Sequence, residues 1–278
     1  MMQTILLPVA VFLVLGGLMG ALLAVASKVF AVQKNEKAEA VAECLPGANC
    51  GGCGYSGCAA LSEAIAAGKA PVNACTVGGQ EVAEKVAVVM GVEPGVTVKM
   101  RAQVMCSGTS QYAKKKYIYE GIPDCAAASR IGGGDKLCPN GCIGLGTCVA
   151  SCPFDAIHVV EGVAAVDYTK CRGCGICVTA CPKGIIKLIP FDTHHWVGCS
   201  SVDDGKTTRK YCDVGCISCK ICERSCPAEA IHVSDYVASI AYDKCVSCNA
   251  CAHKCPRKII WSGETQGALG LIIKRVEE

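Results

Sequence analysis

The chain has 278 residues, of which 51% are hydrophobic, 18% are charged and 25 are cysteines. An odd number of cysteines in tight runs does not suit a small disulfide-stapled domain and favours metal ligation. The formal net charge is only +3, and no basic stripe with interleaved aromatic residues is present, so we expect no nucleic-acid partner.

The first element is an uncharged apolar stretch. No charged residue occurs in residues 1–27, and residues 5–26 are almost all apolar. A helix of about 20 apolar residues crosses the hydrocarbon core of a bilayer, so we expect a single N-terminal transmembrane helix within residues 1–30. The alternative is a cleaved signal peptide, since Ala24-Val25-Ala26 resembles a cleavage site, but no basic residue precedes the stretch.

Basic residues follow this stretch and predict its orientation. Lys28, Lys34 and Lys37 lie just after it. The positive-inside rule therefore predicts a single-pass protein of the cell membrane whose remaining domains lie on the cytoplasmic side. The cytoplasm keeps thiols reduced, which agrees with metal ligation.

Residues 31–95 carry the first cysteine cluster and are expected to form a small, mostly helical domain. The pattern C-x2-C-x4-C-x16-C is formed by Cys50, Cys53, Cys58 and Cys75. Glycines between the first three cysteines let their thiols converge, and the fourth returns after a helix. A zinc knuckle is the alternative, but its paired C-x2-4-C spacing is absent, so the pattern favours a 4Fe–4S cluster. Cys44 has no partner in this pattern and is interpreted as a structural or spare thiol.

The second half of the chain contains an internal repeat. A shift of 74 residues aligns the cysteines between 125 and 181 with those between 199 and 255, without a gap. The spacing C-x2-C-x2-C-x3-C-P begins at Cys171, Cys216 and Cys245. In this spacing three thiols bind one 4Fe–4S cluster, and the fourth serves its neighbour. The repeat predicts two tandem bacterial-ferredoxin-like units, residues 137–190 and 191–262, followed by a C-terminal tail, 263–278.

Each unit is expected to combine helices and a short β-hairpin around two clusters, which makes the fold class α+β. Residues 157–166 and 231–240 alternate apolar and polar side chains around Glu161-Gly162 and Ser234-Asp235, as hairpins do. Crossed ligation predicts two sets of ligands in the second unit: Cys216, Cys219, Cys222 and Cys255 for one cluster, and Cys226, Cys245, Cys248 and Cys251 for the other.

The first unit departs from this pattern because Leu145 stands where the second unit has Cys219. One cluster of the first unit therefore needs a thiol from elsewhere, and Cys138 is the nearest donor. The predicted ligand sets are Cys138, Cys142, Cys148 and Cys181, and Cys152, Cys171, Cys174 and Cys177. If Cys125 supplies the missing thiol instead, Cys138 becomes available to another site.

A sixth cluster is proposed from the cysteines that remain. Cys106 and Cys125 lie in the connecting segment, residues 96–136, while Cys199 and Cys212 lie in the second unit. Together they would add a sixth 4Fe–4S cluster to the five above. Free buried thiols are the alternative, because cysteine is among the most frequently buried residues.

The sequence offers no catalytic residue and no nucleotide site. The glycine-rich segments lack the strand and the G-x-G-x-x-G spacing of a dinucleotide loop, so we expect no NAD or flavin on this chain. Several one-electron centres on a membrane anchor indicate an electron carrier.

The combination resembles the B-subunit family of the Rnf complex. The similarity lies in the apolar N-terminus, in Leu45-Pro46-Gly47 before Cys50, and in the ferredoxin units with Gly141-Cys142-Ile143-Gly144. It implies a subunit that accepts electrons from soluble reduced ferredoxin. It also implies that other membrane subunits take these electrons, reduce NAD and translocate Na⁺ or H⁺.

Two other functions remain open at this point. One is a polyferredoxin-like subunit of another membrane oxidoreductase, such as a hydrogenase or dehydrogenase. The other is a zinc protein, which the repeated ferredoxin spacing disfavours. The basic run Lys114-Lys115-Lys116 is a candidate docking site for an acidic ferredoxin, with an ordinary solvated loop as the alternative.

Overall fold

A computed structural model describes the backbone of residues 2–29 and 35–262, with side chains for 12–28 and 35–262. The predicted tail, residues 263–278, and the side chains of 5–11 in the predicted membrane span lie outside this described part. The described residues form a mixed helix and strand structure, which confirms the helix-and-strand part of the predicted fold class.

Ten helices occur in the described residues: α1 (Met2–Val29), α2 (Glu36–Cys44), α3 (Cys58–Ala66), α4 (Gly79–Met90), α5 (Cys125–Arg130), α6 (Thr147–Ala150), α7 (Ile176–Ala180), α8 (Gly205–Tyr211), α9 (Ile221–Arg224) and α10 (Ala250–Lys254). Eight strands accompany them: β1 (Met100–Val104), β2 (Ile157–Val160), β3 (Val163–Val166), β4 (Ile186–Pro190), β5 (His195–Val197), β6 (Ile231–Ser234), β7 (Val237–Ile240) and β8 (Ile260–Ser262).

Helix α1 exposes apolar side chains, among them Phe12, Leu18 and Leu22. Over the part of the chain that is described, no helix is both long enough and apolar enough to cross a membrane.

The N-terminal domain packs α2, α3 and α4 around an apolar core. Val41, Leu61, Ile65 and Val86 are almost completely buried there, and Cys75 packs among them. Asn35 directly precedes helix α2. Its side chain accepts a hydrogen bond from the Lys37 backbone N–H and so caps the helix. These helices hold the loop that carries the first cysteines, as the mostly helical prediction requires.

Both predicted hairpins are present. Strands β2 and β3 pair antiparallel, as do β6 and β7. The turn residues Glu161 and Gly162 both have positive φ, as two-residue hairpin turns require. In the second unit the positive φ values fall on Asp235 and Tyr236, so that turn lies one residue later than Ser234-Asp235.

Each unit also contains a second two-stranded sheet that the sequence did not predict. Strand β1 pairs with β4, and β5 pairs with β8. Val104 lies opposite Ile186, and Val197 lies opposite Ile260, which is the repeat equivalent of Ile186. Strands β1 and β5 are therefore equivalent elements, and the first unit includes a strand from the predicted connecting segment.

Each unit has its own core, and both cores are made largely of cysteine and branched aliphatic side chains. Ile157 and Ile231, which are repeat equivalents, are each 1% exposed. Few large aromatic side chains enter these cores, so cysteines and whatever they bind must fill much of the interior.

The N-terminal domain lies directly against the first unit. A Cβ atom at Gly52 would stand only 2.4 Å from the carbonyl oxygen of Cys174. Only glycine permits so close an approach, and it brings the loop of the first cysteines to the loop of the Cys171 motif.

Candidate iron–sulfur sites

All 25 cysteines lie in the described part of the chain, and all are free thiols. Within that part, no group of three or more His, Cys, Asp or Glu side chains is placed to hold a single metal ion. Instead, four cavities are each lined by four cysteines.

The second unit contains two of these cavities, and they match the predicted crossed sets. One is lined by Cys216, Cys219, Cys222 and Cys255. The other is lined by Cys226, Cys245, Cys248 and Cys251. In both, the cysteine before the proline reaches across to the three thiols of the other motif, because α9 and α10 pack against each other.

The first unit differs from the prediction in the source of one thiol. Its cavity is lined by Cys125, Cys142, Cys148 and Cys181, and Cys138 lies elsewhere. Cys125 therefore occupies the place that was assigned to Cys138. Leu145, which stands where the second unit has a cysteine, packs beside Cys125 in a small apolar cluster.

A short hydrogen-bond network fixes Cys125 in this cavity. Its backbone N–H donates to Thr147 Oγ1 at 2.7 Å, and that hydroxyl donates to Asp124 Oδ2 at 2.8 Å. The Asp124 carboxylate also accepts from the Ala127 N–H and caps α5. These bonds lower the pKa of Asp124, the backbone bond contributing most. The loop that carries the replacement thiol is thus tied to the helix that carries Cys148.

The fourth cavity lies between the units and contains Cys138. It is lined by Cys106, Cys138, Cys199 and Cys212, two from each unit. The prediction that placed Cys125 in this set is corrected, while the alternative that moved Cys138 here agrees with the structure. The strand register explains the error, because Cys106 follows β1 as Cys199 follows β5, so these two cysteines are equivalent and Cys125 has no counterpart.

Matching hydrogen bonds support this equivalence. The Cys142 N–H donates to Cys106 Sγ at 3.4 Å, and the Cys216 N–H donates to Cys199 Sγ at 3.3 Å. Cys142 and Cys216 are repeat equivalents. The inter-unit cavity is therefore built from equivalent residues of the two repeats.

The set of Cys152, Cys171, Cys174 and Cys177 is brought together, and so are Cys53, Cys58 and Cys75 of the N-terminal set. Burial raises the pKa of Cys177 to about 12, and neighbouring Cys171, Cys174 and Cys152 add to the shift. In the N-terminal domain, burial raises the pKa of Cys75, with further contributions from Cys58 and Cys53. Cys50 lies near Cys174, whose pKa burial raises and the Cys50 thiol raises further.

Nearly all thiols of the candidate sites are buried or half-buried, and burial alone favours their protonated form. Burial raises the pKa of Cys148 to about 11 and that of Cys222 to about 12. Such thiols stay protonated at neutral pH, so metal binding must release their protons. Backbone N–H groups already donate to several sulfurs, including Ala156 to Cys152 and, at the equivalent place, Ala230 to Cys226. Such donors stabilise thiolate ligands and tune reduction potentials.

The six sets of thiols follow one another through the molecule. Cys50 adjoins Cys174, Cys177 adjoins Cys148, Cys142 adjoins Cys106, and Cys199 adjoins Cys216. The row thus starts in the N-terminal domain, crosses the first unit and the inter-unit cavity, and ends in the second unit at Cys248, which is exposed.

Other residues from the sequence analysis take minor positions. The Cys44 thiol donates to the Ala40 carbonyl within α2, as a spare thiol would. In the basic run, Lys115 pairs with the buried Asp135 at 2.8 Å, and Lys116 donates to the Gly132 carbonyl. Among the described residues, the Lys114 side chain shows no such bond. Sequence reasoning missed Lys136, a buried lysine that lines the inter-unit cavity and donates to the carbonyls of Gly108 and Gly162.

Three protein-family models match the chain. A model described as a putative Fe-S cluster matches residues 45–77. Two models, each described as a 4Fe-4S dicluster domain, match residues 135–190 and 215–260. These matches support 4Fe–4S clusters in the two ferredoxin units and an Fe–S cluster in the N-terminal domain, and they disfavour zinc as the basis of the cysteine patterns.

Full-length relatives agree with the domain matches. The chain is 44% identical over 237 residues to the B subunit of an ion-translocating oxidoreductase complex of Methanosarcina acetivorans. This match covers 85% of the present chain and 90% of the relative. It is 45% identical over 245 residues, 88% and 74% of the two chains, to the B subunit of the Na(+)-translocating ferredoxin:NAD(+) oxidoreductase complex of Acetobacterium woodii. It is 40% identical over 246 residues, 86% and 85% of the two chains, to the B subunit of the proton-translocating counterpart in Clostridium ljungdahlii.

Proposed function

The chain belongs to the family of Rnf complex B subunits, and from this premise we propose that it relays electrons from reduced ferredoxin to its partner subunits along one row of six cluster sites. The resemblance in the sequence is thereby confirmed. The chain is an iron–sulfur electron-transfer subunit of an ion-translocating ferredoxin:NAD oxidoreductase complex. These relationships favour this function over a polyferredoxin-like subunit of a hydrogenase or another dehydrogenase.

Six ligand sets form the row. From the N-terminal domain outward they are Cys50, Cys53, Cys58 and Cys75; Cys152, Cys171, Cys174 and Cys177; Cys125, Cys142, Cys148 and Cys181; Cys106, Cys138, Cys199 and Cys212; Cys216, Cys219, Cys222 and Cys255; and Cys226, Cys245, Cys248 and Cys251. When bound, each 4Fe–4S cluster takes up and releases one electron. The chain would bury or half-bury most of the cluster ligands and stabilise the negative charge of the clusters with backbone N–H donors.

Electrons enter at the Cys248 end of the row. Cys248 is exposed, and Val246 beside it is 67% exposed. Weak redox encounters use small interfaces, and an exposed apolar side chain next to a cluster ligand suits such a contact. The opposite end adjoins the N-terminal domain, which follows the proposed membrane anchor, so electrons leave toward the membrane subunits of the complex.

A charge at Val246 tests this direction. We expect Val246→Glu to slow the oxidation of reduced ferredoxin, because the added carboxylate repels an acidic carrier. Reduction of the same variant by dithionite stays unchanged, because that small reductant needs no docking surface. Val88→Glu is the matched control, since Val88 is 82% exposed on α4, far along the chain from the proposed entry. Equal rates for both variants contradict entry at Cys248.

The basic run is a second place to test ferredoxin contact. Lys115 is left unchanged because it pairs with buried Asp135. Lys114→Glu with Lys116→Glu slows ferredoxin oxidation in a salt-dependent way if an acidic carrier passes this loop. Unchanged rates at low ionic strength exclude the loop from docking.

A membrane anchor within residues 1–30 completes the proposal. It is supported by the uncharged run of residues 1–27 and by the basic residues that follow it. The cluster domains then face the cytoplasm. A reporter fused after residue 278 tests this orientation, since it is active in the cytoplasm and shielded from external protease if the proposal is right. Protease sensitivity in intact cells contradicts it.

A further inference from the structure

Arg101 is the largest of the almost completely buried side chains in the described residues, with 1% of its surface exposed. Its guanidinium donates to two backbone carbonyls, Phe191 O at 3.2 Å and Thr193 O at 2.8 Å. It also donates to Gln103 Oε1 at 2.9 Å. Every hydrogen-bond partner is neutral, so the charge is solvated by the protein but not neutralised.

In the described part of the chain, no carboxylate pairs with this charge. Across the described ranges, the ion pairs between side chains do not include Arg101. The guanidinium carbon lies 3.7 Å from the centroid of the Tyr168 ring and 5.6 Å from that of Trp196. Burial raises the pKa of Tyr168 to about 12, so its phenol stays neutral at pH 7 and supplies no negative charge. An uncompensated buried charge is strongly unfavourable in a protein interior, which calls for an anion nearby.

A cluster held in the adjacent site would supply that anion. The residue after Arg101, Ala102, donates its backbone N–H to Cys171 Sγ at 3.4 Å. The loop of Cys171 packs on β1 so closely that a Cβ at Gly173 would stand 2.3 Å from the Met100 carbonyl oxygen. Tyr168, on which Arg101 stacks, lies three residues before Cys171. A 4Fe–4S cluster with four thiolates carries about −2 charge, and one more on reduction.

We infer that the buried charge of Arg101 raises the reduction potential of the cluster held by Cys152, Cys171, Cys174 and Cys177. This inference rests on the proposed ligand set. The guanidinium stabilises the reduced form more than the oxidised form, because the reduced form carries one more negative charge. The electron itself comes from and returns to the neighbouring centres of the row, and Arg101 neither gains nor loses a proton.

The size of the effect follows from Coulomb's law. We take the effective dielectric constant of about 20 that suits proteins. A unit charge about 10 Å from a redox centre then changes the equilibrium constant for its reduction about tenfold or more. For a one-electron couple, tenfold corresponds to about 59 mV. An exposed arginine at a similar distance is screened by water and salt and has a much smaller effect.

The experiment compares Arg101→Met with Arg172→Gln in the full-length holoprotein. Arg172 is exposed and adjoins Cys171 in sequence, so it is a matched control. Midpoint potentials are read from an EPR-monitored redox titration, and the cluster is identified by the signal that Cys174→Ala removes. We expect Arg101→Met to lower the equilibrium constant for reduction of that cluster about tenfold. Arg172→Gln should leave this constant within about twofold of the parent value.

An unshifted midpoint in Arg101→Met with full iron content overturns the inference, as does an equal shift in Arg172→Gln. If Arg101→Met does not fold, Arg101→Lys keeps the charge. Its midpoint is expected within about twofold of the parent, and a tenfold shift counts against the inference. Failure of the ligand set is distinguishable, because Cys174→Ala would then remove no signal.

Discussion

The two ferredoxin units obtain the same set of four thiols in different ways. In the second unit Cys219 stands in the expected place in its motif. In the first unit Leu145 takes that place, and Cys125 enters the cavity from a loop that has no counterpart in the second unit. The cavity is retained while the source of one ligand changes, so the site constrains the position of the thiol and not its place in the sequence.

The inserted loop also explains the asymmetry between the units. From Cys106 to Cys142 the chain takes a longer path than from Cys199 to Cys216, although both segments join equivalent positions. The extra length carries α5 and Cys125. Cys138 and Cys212, just before the two motifs, are then free to complete the inter-unit cavity.

The largest effect is expected from exchanging the ligand source. Cys125→Ala should lose up to about four iron atoms per chain, because one cluster is left with three of its four thiolate ligands. Adding Leu145→Cys to that variant should restore them, since the first unit then has the ligand pattern of the second. Cys44→Ala is the control and should keep its iron, because its thiol bonds only within α2. Iron analysis measures all three. If Leu145→Cys restores no iron, the two cavities are not equivalent.

A smaller effect is expected from the paired core positions. Ile157→Ala and Ile231→Ala should each cost about 2–5 kcal/mol, because each removes a fully buried side chain and leaves a cavity. The guanidinium concentration at which iron–sulfur absorbance is lost measures the change under anaerobic conditions. This guanidinium concentration should fall by similar amounts in the two variants. A fall in one variant only would mean that the hairpins do not support their clusters equally.

The smallest effect is expected at the surface. Lys170 pairs with Asp155 at 2.8 Å, and both side chains are exposed. In the described structure, the equivalent Lys244 and Glu229 form no such pair. Asp155→Asn should therefore change thermal stability very little, because exposed ion pairs contribute little.

The pH dependence of that pair has a definite sign. The hydrogen bond from Lys170 lowers the pKa of Asp155, and its charge lowers it further. The contribution of the pair is present above the ordinary carboxyl pKa and is lost as the pH falls through the lower folded value. The difference in melting temperature between the parent and Asp155→Asn should thus be the same at pH 7 and at about pH 5. A difference that changes between these values would contradict the assigned pair.

Spacing alone predicts much of this molecule, because ferredoxin motifs encode which thiols share a cluster. The hairpins at 157–166 and 231–240 follow from alternation and are present. Cys125 and Cys138 could not be assigned, because a constant shift of 74 residues pairs Cys125 with Cys199. The register of β1 on β4 and of β5 on β8 is needed to show that Cys106 is the true equivalent of Cys199. Arg101 was also missed, since one buried arginine in a short strand leaves no pattern in the sequence.

The inter-unit cavity is the central claim, since without it the row of sites is broken between the two units. The most direct test is the iron and acid-labile sulfide content of the full chain and of Cys138→Ala, purified without oxygen. With six clusters we expect about 24 iron atoms per chain for the parent and about 20 for the variant. A parent value of about 20 that Cys138→Ala leaves unchanged would contradict it.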